Sequence, residues 1–191
     1  VITIRGVGYE TNQNAIATPW VSYHLDGIYV ASPYSLQTDF LDLERVEVLR
    51  GPQGTLFGQN STGGANNVVT KAPTTDETYG SADLTLGDHG LFKVRAGFNR
   101  PLGDNLAMRA SFISNIRDGF TENLSNGQDL DDADSFSARV RLKYEPSDTF
   151  RANFMAQIFD EDRNGAAQKG IIDPTPDPRQ LRQNSTTEHK L

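Results

Sequence analysis

From Tyr79 onward the chain alternates apolar and polar residues with a period of two. One parity carries Gly80, Ala82, Leu84 and Leu86, then Phe92, Val94, Ala96 and Phe98, then Leu106, Met108, Ala110, Phe112 and Ile116. Two further runs repeat it, Phe136, Ala138, Val140, Leu142, Tyr144 and Phe150, Ala152, Phe154, Ala156, Ile158. The other parity carries Lys93, Arg95, Arg109, Arg117, Arg139, Arg141, Lys143 and Arg151. That period belongs to β-strands with unlike faces, so the pattern predicts five antiparallel strands. A soluble antiparallel sheet would alternate in the same way. Three features favour a transmembrane barrel. The runs read as about 9–11 residues, enough to cross a bilayer at a tilt, where soluble strands average about 5–6. Phe98, Phe136, Tyr144 and Phe150 fall near strand ends, where interfacial aromatic girdles sit. The connections alternate in size, with 87–90 and 117–134 on one side and the short turns 101–105 and 146–149 on the other.

Before Lys71 the grammar differs. Ile2 to Arg5, Val21 to Val30 and Val46 to Leu49 are strand-like, and Leu36, Phe40, Leu41 and Leu43 recur at roughly helical spacing. Together these predict a small mixed domain in which one short helix precedes the last of those strands. Its most informative stretch is DLERVEVLRGPQGTLFGQNSTGGANNVVTKAP, Asp42 to Pro73. Two buried-type strands there flank a connector with Gly51, Pro52, Gly54, Gly58, Gly63 and Gly64. So many glycines around a proline predict a shaped loop that uses turn and left-handed conformations.

Leu49 to Gly58, the pair Gly63-Gly64 and Val68 to Lys71, preceded by Ile4-Arg5-Gly6 and by Leu25 to Val30, follow one another in the order of a known signature. The chain resembles the plug domain of TonB-dependent outer-membrane receptors over its first seventy or so residues. Asn66-Asn67 departs from that pattern, in which an apolar residue usually precedes the final strand. The resemblance implies a mainly β protein, with an α/β plug of four-stranded mixed sheet at 1–73 and the first strands of a 22-stranded transmembrane barrel at 74–191. It implies a plug signature of Arg5, Gly6, Asp26, Gly27, Glu47, Arg50, Gly51, Pro52, Gly54, Gly58, Gly63 and Gly64. It further implies a monomeric barrel in outer-membrane lipid, energised by TonB through an N-terminal segment ahead of Val1.

Composition bounds the rest. No stretch approaches the ~18 apolar residues of a membrane helix, so a membrane protein of this composition must span as strands. Five strands cannot close a barrel, and an open edge in lipid leaves unpaired backbone groups, so the expectation is a fragment. The formal charge of −7 and the scattered basic residues argue against nucleic acid. With no cysteine, disulfides and thiolate metal sites are excluded. His24, His89 and His189 lack ligand spacing, and the run Asp129, Asp131, Asp132, Asp134 lacks the glycine and distal glutamate of a calcium loop. No cofactor, metal or catalytic set is indicated, so the chain is not read as an enzyme.

Lys93, Arg95, Arg109, Arg139, Arg141, Lys143 and Arg151 are expected to face the lumen, with Asp83 as the one facing acid. Such a wall could complement Asp39, Asp42, Glu44 and Glu47, guide an anionic ligand, or simply be a hydrated face balanced elsewhere in the ring. Arg5 and Arg50 are candidates for bidentate pairing with wall carboxylates. The reading is active uptake of a bulky small-molecule or metal-chelate ligand, such as siderophore-iron, cobalamin or a glycan-like compound. The alternative is a non-transporting envelope β-domain, an adhesin or carbohydrate-binding module.

Overall fold

The computed structural model describes residues 3–4, 7–8, 20–30, 40–164, 177, 179–181 and 189–190. Arg5, Gly6, Leu36 and Asp39 lie outside the described residues. The chain forms two compact units, Val1–Lys71 and Ala72–Leu191. Strands dominate both.

In the first unit, β1 (Thr3–Ile4) and β2 (Val7–Gly8) form a short antiparallel pair. The main sheet has the order β4-β3-β6-β5, built from β3 (Val21–Leu25), β4 (Ile28–Tyr29), β5 (Leu43–Arg50) and β6 (Gly64–Thr70). β3 runs parallel to β6, while β4 and β5 pair antiparallel with their neighbours, so the sheet is mixed. Two local expectations change. The strand expected from Val21 to Val30 is broken by Asp26 and Gly27, with φ of 50° and 80°. Two successive left-handed residues of the Asp-Gly type close a tight hairpin, which folds β4 back on β3. The helix expected through Leu43 is also absent from its described part. Asp42 has φ 57° and Leu43 already begins β5, while Leu41 is buried.

The connector is an extension of the β5–β6 hairpin. Gly51 N–H donates to the Gly63 carbonyl (3.3 Å) and Gln53 N–H to that of Ser61 (2.9 Å), which encloses the single helical turn α1 (Gly54–Phe57). The hydroxyl of Ser61, itself buried, donates to the Gly58 carbonyl at 2.6 Å.

The second unit is an antiparallel meander of β7 (Tyr79–Leu86), β8 (Phe92–Gly103), β9 (Leu106–Arg117), β12 (Ala133–Ser147) and β13 (Phe150–Arg163), with β15 (His189–Lys190) beside β13. The long connection holds β10 (Thr121–Asn123) and β11 (Gln128–Leu130), and β14 (Gln180–Leu181) adds parallel to β10. Four of the long strands run 12, 12, 15 and 14 residues, beyond the expected span, because their polar ends continue the ladder past the apolar stripe. Phe98 accordingly lies mid-strand, opposite Gly80 and Ala110, and not at an end.

Register places the two parities on opposite faces in continuous rows. Ala82, Ala96, Phe112, Ala138 and Ile158 form one row. Tyr79, Asn99, Arg109, Arg141 and Met155 form another on the other face. The apolar face is the open one: Leu84, Leu86 and Ile158 are 60%, 68% and 65% exposed. The polar face is covered at its centre, with Asn99, Arg109 and Arg139 at 0%, 1% and 4%, while Asp83, Arg95 and Arg151 on it are exposed. Burial is thus inverted relative to a water-soluble sheet.

Gly64, at φ 149°, is the member of the glycine pair that adopts a backbone side chains rarely take, whereas Gly63 has no positive φ. Gly64→Val should therefore destabilise the first unit's sheet by about 1–3 kcal/mol. Gly63→Val should disturb it less, since its N–H bond to the Trp20 carbonyl survives. Hydrogen exchange of β6 amides in the full-length protein measures both, and equal protection in the two variants would refute the distinction.

Candidate functional site

Four side chains from four strands line up across one face of the first unit's sheet. Tyr29 on β4 is the register partner of His24 on β3, His24 that of Asn67 on β6, and Asn67 that of Glu47 on β5. Asn67 is the bond-maker at the centre. Its Oδ1 accepts the Gly27 N–H at 3.0 Å, and its Nδ2 donates to Glu47 Oε2 at 2.9 Å. Arg45 Nε donates to the other oxygen of Glu47 at 2.8 Å, and Arg45 also pairs with Glu44. The Glu47 carboxyl is held below the usual carboxylate range, chiefly by the Asn67 amide and then by Arg45.

Asp26 makes the parallel attachment at the hairpin turn. Its two oxygens accept Thr70 N–H (2.8 Å) and Thr70 Oγ1–H (2.7 Å), while its own N–H donates to the Val68 carbonyl (2.8 Å). The Asp-Gly turn is therefore bound to β6 at both of its residues. At the other end of the row, Asn60 Nδ2 donates to the Tyr29 hydroxyl at 2.7 Å, and Phe57 of α1 sets its edge against His24 with centroids 4.7 Å apart. His24 is buried. Its Nε2 lies 3.1 Å from Ser22 Oγ, and Nδ1 has no hydrogen-bond partner among the described residues. Burial lowers the ring's pKa below 6.5, against the opposing pull of the nearby Gly27 backbone. On the reverse face of the sheet, burial pushes the Tyr23 hydroxyl up to about 12.

Of the signature residues, Gly27 and Glu47 are thus brought together through Asn67, and Asp26 is bound beside them to Thr70 and Val68. Arg50 stands exposed at the end of β5, and Gly51, Pro52, Gly54 and Gly58 shape the connector beyond it. Asn67 and His24 were not anticipated as site residues. The signal for Asn67 was its departure from the apolar residue expected there.

In the second unit Lys93, Arg95, Arg109, Arg139, Arg141, Lys143 and Arg151 share one face. Its charge is more balanced than expected, because Glu145 and Glu161 join Asp83 there. Glu145 takes Lys143 Nζ at 2.7 Å and also Arg151, and Glu161 pairs with Arg163. Arg139 forks onto Gln157 Oε1 through Nε (2.9 Å) and Nη2 (2.8 Å), and Arg109 covers the Tyr79 ring at 5.2 Å. In the long connection, Asp131 accepts Thr121 Oγ1–H (2.6 Å) and Asp132 accepts Asn164 N–H (2.8 Å), so these carboxylates brace the loop. Among the described residues no group of three His, Cys, Asp or Glu could hold a metal ion.

Residues 1–65 match the family described as the TonB-dependent Receptor Plug Domain. The pesticin receptor of Yersinia enterocolitica is 29% identical over 150 residues, which cover 77% of this chain and 21% of that protein. The first 65 residues of this chain are thus a plug domain of the TonB-dependent receptor type. Another relative, the catecholate siderophore receptor Fiu of Escherichia coli K12, is 31% identical over 48% of the chain and 12% of its own length. The ferric yersiniabactin uptake receptor FyuA of Yersinia pestis superposes with a TM-score of 0.66 at 26% identity, over 77% of this chain and 23% of FyuA. The pyoverdine receptor FpvA of Pseudomonas aeruginosa, at 22% identity and a TM-score of 0.63, shares the fold. The chain spans about a fifth of the length of the curated relatives it first matches. The family is one of receptors and transporters, not enzymes.

His24 supplies a pH prediction for the plug. A ring kept neutral by burial stabilises the fold fully above its ordinary value of 6.5, and that stabilisation is lost as pH falls toward and through the lowered folded value. Hydrogen exchange of β3 and β6 in the full-length receptor, corrected for intrinsic rates, should show weaker protection at about pH 5 than at about pH 7.5. His24→Gln should remove that difference. An unchanged profile in the variant would show that another group titrates.

Proposed function

We propose that this chain contributes the C-terminal part of the plug, at 1–73, and the first strands of the barrel, at 74–191, to an outer-membrane receptor that takes up a bulky metal chelate under TonB control. The inverted burial of the second unit is the observation that carries this reading. An adhesin or carbohydrate-binding module in water would bury the face that here lies open. The dimensions agree with a membrane. On β9 the apolar stripe runs from Leu106 to Ile116, ten steps. At ~3.4 Å per residue and ~45° tilt, that covers about 24 Å of membrane normal, close to the ~25 Å apolar band of outer-membrane barrels. Tyr144 and Phe150 form a T-shaped pair at the short-turn end, 6.4 Å between centroids, as one girdle of such a band.

On this reading Lys93, Arg95, Arg109, Arg139, Arg141, Lys143 and Arg151 face the lumen and the apolar face meets lipid. A plugged barrel does not leak, so passage of the ligand requires the plug to be displaced or remodelled by work from the periplasm. TonB would supply it through a segment ahead of Val1. The names of the relatives, with ferrichrome, catecholate and yersiniabactin among their ligands, favour a ferric or other metal chelate over cobalamin or a glycan. Uptake of a panel of labelled ferric siderophores, compared in TonB-competent and TonB-deficient cells, tests the function. Equal uptake in both would refute it.

Spin labels test the topology. In the full-length receptor in bilayers, labels at Leu84, Val94, Phe112, Val140 and Phe154 should relax with lipid-soluble oxygen. Labels at Arg95, Arg109, Arg139 and Arg151 should respond to a polar nickel chelate. The reverse pattern would overturn the barrel assignment.

Arg50, exposed at the mouth of the connector, and Arg5 are proposed to grip wall carboxylates. Because plug-to-wall contacts in a hydrated lumen are screened, Arg50→Ala should change stability by only about 0–1 kcal/mol while slowing uptake. Arg50→Lys should recover part of the rate, since a point charge lacks the two-pronged geometry. Normal uptake by Arg50→Ala would remove this role.

A further inference from the structure

The segment that leads from β6 to the first long strand has one buried fixing point, Asn99 on β8. Asn99 is 0% exposed, and both ends of its amide are engaged by that segment. Oδ1 accepts Thr74 N–H at 3.0 Å, and Nδ2 donates to the carbonyls of Thr74 (3.0 Å) and Glu77 (2.7 Å). Asn99 stands in the ladder between Tyr79 and Arg109, and the Arg109 guanidinium, 1% exposed, lies over the Tyr79 ring. The bonds are therefore walled on both sides. Within the segment, Thr74 Oγ1 donates to Asp76 Oδ2 (2.6 Å) and accepts Asp76 N–H (3.2 Å), so the residues held by Asn99 already form a turn.

A carboxamide suits this position because it copies the peptide group, one acceptor and a two-proton donor, and can hold an irregular stretch that has no strand partner. Aspartate would supply acceptors alone and leucine neither. Removing the amide leaves a buried N–H and two carbonyls to find other partners.

We propose that Asn99 is a positioning residue that tethers the plug-to-barrel linker, holding residues 74–77 on the barrel strand while the plug is displaced. This rests on the uptake reading above. Work applied from the plug's N-terminal side would then stop at Thr74, and the part of the chain nearest the wall would stay in place through each transport cycle.

The test uses the full-length receptor in the outer membrane with Asn99→Leu and Thr74→Pro. The first removes the amide. The second deletes the Thr74 N–H, together with the Thr74 hydroxyl that bonds Asp76, and leaves β8 intact. Trypsin cleavage after Lys71 should become roughly tenfold faster in both, since cleavage tracks the population of released linker. Heat-modifiable electrophoretic mobility should still report a folded barrel. Sensitivity to a glycopeptide antibiotic too large for porins should rise in TonB-competent cells and stay at the wild-type level in TonB-deficient ones. A merely structural role would raise it in both strains, and that result would overturn the tether. So would a wild-type cleavage rate in a folded Asn99→Leu receptor. If Asn99→Leu does not fold, Thr74→Pro decides by the same readouts. If wild-type uptake proves independent of TonB, the functional reading fails and the cleavage rate alone judges the tether.

Discussion

The requirement that every backbone N–H and C=O in hydrocarbon find a partner governs the second unit. A strand in lipid has no water to fall back on, so each strand must be paired along its whole length and its side chains must sort by face. Between its outermost strands the ladder from β7 to β13 meets that demand, with register carried across Gly80, Phe98, Ala110, Val140 and Ala156 in a single row. Once pairing fixes the rows, the sign of burial follows from the solvent on each side. Leucine, phenylalanine and isoleucine can stand open because their environment is apolar. Arginine and asparagine can be covered because Gln157, Tyr79 and the linker carbonyls meet their donors.

The first unit solves a different problem, and its central row shows how. A small plug could be held by an apolar core, as β3 and β6 partly are through Val21, Tyr23 and Val68. Across the opposite face, cohesion comes from Tyr29, His24, Asn67 and Glu47. Each hydrogen bond there contributes about 0.5–1.5 kcal/mol net, because water can replace either partner when it breaks. An apolar contact offers no such exchange, and exposing it costs about 25 cal/mol for every Å².

How far the sequence discloses this molecule differs between the two units for physical reasons. Period-two alternation is a direct projection of strand geometry, so the faces of Leu84 and Arg95, or of Phe154 and Arg109, could be read without coordinates. Strand ends were less legible. Glu145 and Glu161 were not counted on the basic face because the apolar runs stop at Tyr144 and Ile158, whereas the ladder continues beyond both. In the first unit the glycine-rich connector announced its shape, but Asp26-Gly27 was read through as strand, although adjacent Asp-Gly is a strong hairpin signal. The helical spacing of Leu36, Phe40, Leu41 and Leu43 does not carry through its described end, where Leu41 is buried beside the turn at Asp42 and Leu43 begins β5. Asn67 and Asn99 were illegible as partners. A single buried amide has no period, and its bonds reach 40 and 25 residues along the chain.

Those two asparagines connect the halves of the argument. On the uptake reading proposed above, a plug that moves yet never leaves needs attachments that yield and one that does not. The row through Asn67 joins elements within the sheet by single hydrogen bonds near a surface that water can reach, with Gly27 and Glu47 only partly covered. Asn99 instead concentrates three bonds on one fully buried amide. Breaking the first kind exchanges a protein partner for water. Breaking the second strands a buried amide together with the N–H and carbonyls it serves, each at about 1–3 kcal/mol, until the whole segment lifts. The same side chain, placed at two depths, is thereby suited to opposite mechanical tasks.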